Sequence, residues 1–164
     1  MDALLTPIRI GTPEDIHDMM DIAMNASDEN GFVAASKSKM LQELYSALSR
    51  HYGLMGIIGY PGEKAEGAVL LRFGQLWYSD QPIVEEKAIF IRPEFRAAKG
   101  GRARRLCKFS RYIADQFGMP LVIGVLSNHR TEGKVRMYER EFGKPSGAFF
   151  LYGAATGDVA GDAH

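Results

Sequence analysis

The chain reads as an α/β (α+β) protein built around a mixed central sheet, and three observations carry that expectation. Short apolar runs of strand length alternate with segments of helical period. A basic, glycine-containing loop joins one such run to an amphipathic helix. Another apolar run follows that helix, so the order strand, basic loop, helix, strand, helix, strand requires at least one parallel crossover.

Each element has a local reason. Ile8 to Ile10 is a short strand, and Thr12-Pro13-Glu14-Asp15 opens a helix to about Ala26. Thr12 is the cap, Pro13 lies in the first turn and the acids sit at the positive end of the dipole. Ser36 caps a second helix, on which Met40, Leu41, Leu44 and Leu48 recur as one buried stripe. Leu54 to Tyr60 and Ala65 to Phe73 form a hairpin across Pro61-Gly62-Glu63-Lys64. Gln75 to Pro82 fits either an extension of the second strand or a surface flap. Glu85 to Arg92 is a strand centred on Ile89, Phe90 and Ile91, and Pro93 ends its ladder by removing a donor. From about Arg102 to Phe117, Leu106, Phe109, Ile113 and Phe117 mark one face of a helix that Gly118 stops. Leu121 to Leu126 is a strand, Glu132 to Phe142 a helix and Ala148 to Tyr152 a last strand.

Size and composition narrow the class. The 164 residues suit one domain over 1–153, with 154–164 as a flexible tail, and can bury a core without disulfides or a structural metal. At 46% hydrophobic and 24% charged residues, with no membrane-length apolar run and no secretory signal, a cytoplasmic soluble protein is expected. One cysteine, Cys107, excludes an internal disulfide framework, and the scattered His17, His51, His129 and His164 predict no metal site. Formal net charge is zero, yet Arg96, Lys99, Arg102, Arg104, Arg105, Lys108 and Arg111 follow one another with no intervening acid, whereas the first thirty residues are acidic. Such a division suits an anionic ligand at one place and a cationic one at another.

The densest signal is Ile91 to Ala103. Gly100-Gly101 beside Lys99 and Arg102, at the start of a helix, can cradle a diphosphate: free N–H groups and the dipole point outward, and glycine lets the backbone approach. This stretch, with Pro93-Glu94-Phe95-Arg96 at its entry, resembles the acetyl-CoA loop of the GNAT superfamily of N-acetyltransferases. The resemblance continues through Asn128 and Val135-Arg136-Met137-Tyr138-Glu139-Arg140-Glu141-Phe142-Gly143, and the opening Ile8 to Ile16 is similar to that family's first strand and helix. The loop aligns with the family motif in two ways, starting from Arg96 or from Ala98, and the family's terminal Gly-Phe is inverted here to Phe142-Gly143.

The resemblance implies an acyl-CoA N-acyltransferase fold, a mostly antiparallel sheet of about six or seven strands splayed between Glu85–Arg92 and Leu121–Leu126. Acetyl-CoA would lie in that gap, its pantetheine arm bonded to the main chain at Phe90, Ile91 and Arg92. Its phosphates would meet Arg96, Ala98, Lys99, Gly100, Gly101, Arg102 and Ala103, with Asn128 a further contact. One of Arg104, Arg105 and Lys108 is a candidate for the 3′-phosphate. The acceptor amine, with a pKa of about 10.4 if lysine-like, must lose a proton, and Glu85 or Glu86 is placed to take it. Adjacent strand residues face opposite sides, so one of the two serves, and Glu86 is the preferred candidate. Tyr138 occupies the position whose hydroxyl protonates the departing thiolate.

The acceptor is a small-molecule or protein amine, and acids such as Asp18, Asp21, Asp28 and Glu29 suit a cationic one. No membrane partner is expected. Met19, Met20, Trp77 and Tyr78 fit a core, a pocket or a homodimer contact equally well. Two rival readings remain: a non-catalytic CoA-binding sensor on the same scaffold, and a nucleic-acid module using the basic face 96–111, for which no zinc spacing or aromatic RNA-binding signature is present.

Overall fold

A computed structural model describes residues 5–96, 100–125 and 131–154. Along these run β1 (Ile8–Ile10), a 3₁₀ turn (Pro13–Asp15), α1 (Ile16–Asn30), α2 (Lys37–Leu48), β2 (Gly53–Ile58), β3 (Gly67–Gln75) and β4 (Pro82–Ile91). The short α3 (Pro93–Arg96), α4 (Arg102–Phe117), β5 (Leu121–Ile123) and α5 (Thr131–Phe142) follow. The strands lie in the order β1-β2-β3-β4-β5; β1 to β4 are antiparallel and β5 is parallel to β4, as the crossover through α4 requires.

Two cores form on the two faces of the sheet. Met19, Ile22 and Ala23 of α1 and Leu44, Ala47 and Leu48 of α2 pack against Met55, Ile57, Ala68 and Phe90. On the other face Leu106, Phe109, Ile113 and Ala114 of α4 meet Leu54, Ile58, Val69, Leu71, Val84, Ile89 and Ile91. Burial on both faces explains why β2 is a continuous apolar run without polar alternation.

Local chemistry sets most helix ends. The Ser36 hydroxyl accepts from Lys39 N–H at 3.2 Å and caps α2. Gly118 ends α4 at φ 62°, and Met119 N–H reaches back to Ala114 C=O at 3.0 Å, a left-handed stop that glycine makes without Cβ strain. Thr12 is the N-cap residue of the Pro13–Asp15 turn, as expected, but its hydroxyl donates to Glu14, and the Asp15 carboxylate accepts from Thr12 N–H at 2.9 Å. Leu41 is exposed, because the buried stripe of α2 runs through Leu44, Ala47 and Leu48 and Leu41 falls at its flank. Phe117 is half exposed at the end of α4, its ring 5.1 Å from that of Phe73.

The class stands as expected, but the described residues carry five strands, fewer than the six or seven implied. Residues 148–152 form no ladder. Phe150 is 94% exposed and Tyr152 fully so. An apolar run of strand length becomes a strand only where a neighbour takes its backbone hydrogen bonds. The segment Gln75 to Pro82 is the tip of the β3–β4 hairpin, with the Trp77 and Tyr78 rings 5.5 Å apart and both exposed. Among the described residues no helix is long and apolar enough to cross a membrane.

Candidate active site

The site is shaped by an irregularity in β4. Leu71 pairs with Glu86 while Leu70 pairs with Ala88, so Lys87 is an extra residue and the strand is bulged there. The bulge switches side-chain parity. Val84 and Glu86 face α4 before it, and Ile89 and Ile91 face α4 after it. β5 matches β4 only as far as the bulge, through Val84–Leu121, Glu85–Val122 and Glu86–Ile123. Beyond Ile123 the two strands part, and β4 runs on to Ile91.

Glu86 therefore stands where the sheet opens. Its buried carboxylate accepts from the Ser110 hydroxyl of α4 at 2.9 Å on one oxygen and from the Tyr138 hydroxyl of α5 at 2.8 Å on the other. Burial pushes the Glu86 carboxyl above its ordinary range, against the two hydrogen bonds that favour the anion. Tyr138 is also pushed up, by burial first and then by the charge and hydrogen bond of Glu86. Its ring stacks near that of Phe142, with centroids 6.5 Å apart.

The two glutamates separate as alternation demands. Glu85 turns to the α2 side of the sheet and pairs with Lys87, away from Tyr138. Ser110 was not anticipated. Its signal in the sequence is a small polar residue within the apolar stripe Leu106 to Ile113, a place where a hydroxyl needs a partner. Cys107, one turn earlier, is buried, and burial together with the nearby Glu86 and Glu141 charges pushes its thiol up to about 12, which rules it out as a thiolate nucleophile at neutral pH.

Main-chain direction differs among the residues expected to meet the pantetheine arm. Arg92 N–H donates to Glu66 C=O at 3.0 Å, toward β3. By the alternation of an antiparallel ladder Phe90 also turns its N–H and C=O to β3, whereas Ile89 and Ile91 turn theirs to the edge that β5 has left. Phe90 and Arg92 are thus withdrawn from that edge. Ile91 remains, with Arg96 Nε donating to its C=O at 3.1 Å, and Ile89 joins it.

The Arg92 side chain is a structural clamp. It is buried, with Nε on Ala65 C=O at 2.6 Å, one terminal nitrogen on Asp21 at 2.8 Å and the other on Asp18. Asp18 and Asp21, expected to attract a cationic acceptor, are held by this guanidinium. They also line an open groove of about 650 Å³ between the start of α1 and the β2–β3 turn.

At the far end of β4 the loop approaches the start of α4. Gly100 and Gly101 have φ of 127° and 55°, left-handed or extended-positive conformations that favour glycine. Among the described residues, a Cβ at Gly101 would meet no atom within 4 Å. The first hydrogen bond of α4 is Arg105 N–H to Gly101 C=O at 2.9 Å, and the N–H groups of Ala103 and Arg104 lie in the first turn, ahead of the intrahelical ladder. Arg102 is turned aside: Nε donates to Glu66 at 2.7 Å, and the guanidinium covers the Phe95 ring at 4.4 Å. Burial alone would raise Glu66, but hydrogen bonds from Thr6 and Arg102 and the charges of Arg102 and Arg105 outweigh it and hold its carboxyl low. Arg105 also reaches Thr6 C=O. Ala98, Lys99 and Asn128 lie outside the described residues.

No protein-family model matches the chain, and no curated protein matches it in sequence. Solved structures do match in fold. A possible acetyltransferase from Clostridium difficile 630 aligns with a TM-score of 0.69 at 11% identity, over 93% of this chain and 99% of its own. An aminoglycoside N-acetyltransferase solved in complex with CoA aligns with a TM-score of 0.64 at 14% identity, over 90% of this chain and 92% of its own. A ribosomal-protein-alanine N-acetyltransferase from Brucella melitensis biovar Abortus 2308 does so with a TM-score of 0.64 at 13% identity, over 92% and 99%. The chain shares its fold with these acetyltransferases.

Proposed function

We propose that the chain is an N-acetyltransferase that moves the acetyl group of acetyl-CoA to a primary amine by direct attack in a ternary complex. One observation carries the reading most. A carboxylate and a phenol, Glu86 and Tyr138, meet at 2.8 Å at the point where β4 and β5 stop pairing. Acetyl transfer to an amine needs one group to take a proton and one to give it, and β4 continues past this pair without β5 beside it.

The residues present fit the cosubstrate. The first-turn N–H groups of α4, with Gly101 opening the approach, suit a diphosphate at a positive helix end. Ile89 N–H and C=O and Ile91 N–H face the open edge of β4, while Ile91 C=O already accepts from Arg96. Arg104 and Lys108, exposed on α4, are available for a further phosphate, whereas Arg102 and Arg105 make intramolecular bonds. Bound there, acetyl-CoA supplies the activated acyl carbon and a thiolate leaving group. Glu86 accepts the amine proton, directly or through water, and Tyr138 gives a proton to the departing sulfur. The acceptor is a primary amine of a small molecule or a protein, the two kinds named for the similar structures.

The test is calorimetric titration of acetyl-CoA into the protein and two Gly101 variants, followed by an amine panel. Aspartate and asparagine both tolerate a φ near 55°, so Gly101→Asn controls for the backbone while Gly101→Asp adds charge. A carboxylate within about 5 Å of a diphosphate costs about 1–3 kcal/mol per charge pair at effective dielectrics of about 80 to 20, or roughly five- to a hundredfold in Kd. Binding by the wild type and Gly101→Asn that Gly101→Asp loses places the phosphates at this helix. Absence of binding to the folded wild type would refute the acetyltransferase reading.

A further inference from the structure

The geometry points to a single proton relay in which Ser110, Glu86 and Tyr138 are consecutive members, with Ser110 the positioning residue that holds the base against the acid. This inference rests on the acetyltransferase reading and goes beyond it, because a base and an acid acting separately need no bond between them.

Three features carry it. The Glu86 carboxylate is buried between α4 and α5, and each of its oxygens accepts one hydroxyl, Ser110 on one side and Tyr138 on the other. Ser110 is itself fully buried, and its oxygen also lies 3.2 Å from Leu106 C=O, so the α4 backbone sets its position. Glu86 precedes the bulged residue Lys87, which aims it at α4 and α5 at the place where the strands part.

The proton balance closes within these residues. The attacking amine forms the new N–C bond as the S–C bond breaks, and its surplus proton passes to Glu86. Tyr138 gives its hydroxyl proton to the thiolate. Glu86, now a carboxylic acid beside the Tyr138 oxygen, returns the proton across the same 2.8 Å hydrogen bond with its direction reversed. Carboxylate and phenol are restored, and the net transfer is one proton from amine to thiol.

The electrostatics couple the two steps. While Glu86 is ionised, its charge and its hydrogen bond hold the Tyr138 proton in place. Once Glu86 is protonated both effects disappear and burial alone still raises the phenol, so Tyr138 is a stronger acid after the amine has lost its proton than before. Among the described residues, the groups facing Glu86 are Ser110 and Cys107 of α4 and Tyr138 of α5; Glu141 of α5 acts on Cys107 and pairs with Arg111, while Glu85 and Lys87 lie on the opposite face of the sheet. Cys107 stays a neutral thiol here.

The experiment is Ser110→Ala beside Ser110→Thr, read by steady-state kinetics across pH and, without any substrate, by NMR titration of isotope-labelled glutamate carboxyls, with Glu86 assigned through Glu86→Gln. Removing the Ser110 donor destabilises the Glu86 anion, so the Glu86 titration and the acidic limb of kcat/KM both move to higher pH in Ser110→Ala. The expected loss in kcat is roughly ten- to a hundredfold with the acetyl-CoA KM unchanged, restored by Ser110→Thr. An active wild type whose Ser110→Ala variant keeps its kcat and its acidic limb overturns the relay and leaves the acetyltransferase standing. A wild type that binds acetyl-CoA yet acetylates no amine overturns the acetyltransferase reading and the relay with it, while the NMR arm still decides whether Ser110 sets the ionisation of Glu86.

Discussion

Arg92→Met separates a cosubstrate contact from a structural clamp at a residue the sequence places on the cofactor path. The wild-type side chain is 2% exposed and makes three bonds, and each partner loses something different when it goes. Ala65 is buried, so its C=O is left without this donor at a cost of about 1–3 kcal/mol. Asp18, 24% exposed, rehydrates in part and keeps its bond from Ala65 N–H at 2.8 Å, so its loss is about 1–2 kcal/mol. Asp21, at 58% exposure, contributes about 0–1 kcal/mol. Methionine avoids the cost of burying a guanidinium and packs its own apolar chain, which offsets about 1–2 kcal/mol.

The net expectation is a loss of about 1–4 kcal/mol. With a urea m-value of about 2 kcal/mol/M for a small protein, the midpoint falls by roughly 0.5–2 M. Urea unfolding followed by circular dichroism measures this, and calorimetry on the folded variant is expected to show unchanged acetyl-CoA affinity. Asp18→Asn is expected to cost more than Asp21→Asn, in the order of their burial. A midpoint shift below roughly 0.3 M, about 0.5 kcal/mol at a typical slope, would refute the clamp, and so would normal stability with lost affinity.

Two other expectations concern the site. Tyr138→Phe removes the proton donor and is expected to lower kcat by about 10²–10⁴ with little change in the acetyl-CoA KM; unaltered turnover would exclude the tyrosine from the chemistry. Glu86→Gln tests the linkage between its ionisation and folding. The Glu86 carboxyl is raised in the folded state, so the native protein binds the extra proton, and the associated stability is complete below the unfolded glutamate value of about 4.3 and lost as pH rises through the folded pKa. Urea midpoints should therefore drift in favour of Glu86→Gln relative to wild type as pH is raised from acid toward neutral, and a drift the other way contradicts a buried, proton-favouring carboxyl.

What the sequence determined by itself was mostly local or periodic. Ser36 and Gly118 mark helix ends through groups within a few residues of them, and the span Arg102–Phe117 of α4 follows from its apolar spacing. The basic loop before α4 was legible because its residue types suit phosphate wherever the backbone carries them, and Tyr138 was singled out through the resemblance of Val135 to Gly143 to a family motif. Adjacent Glu85 and Glu86 could be recognised as opposite-facing, since alternation is a property of any strand.

Tertiary structure decided what depends on partners distant in the chain. The bulge at Lys87 exists only in the register against β3, and it turns Glu86 toward Tyr138, 52 residues away. Ser110 joined the site because α4 crosses that face of the sheet. The Arg92 side chain is held by Asp18, Asp21 and Ala65, and nothing near Arg92 in sequence announces them. The apolar run 148–152 shows the same limit from the other side. Hydrophobicity states that a segment can pair, but hydrogen bonding across a sheet is a relation between two segments, and only the folded chain brings the second one into place.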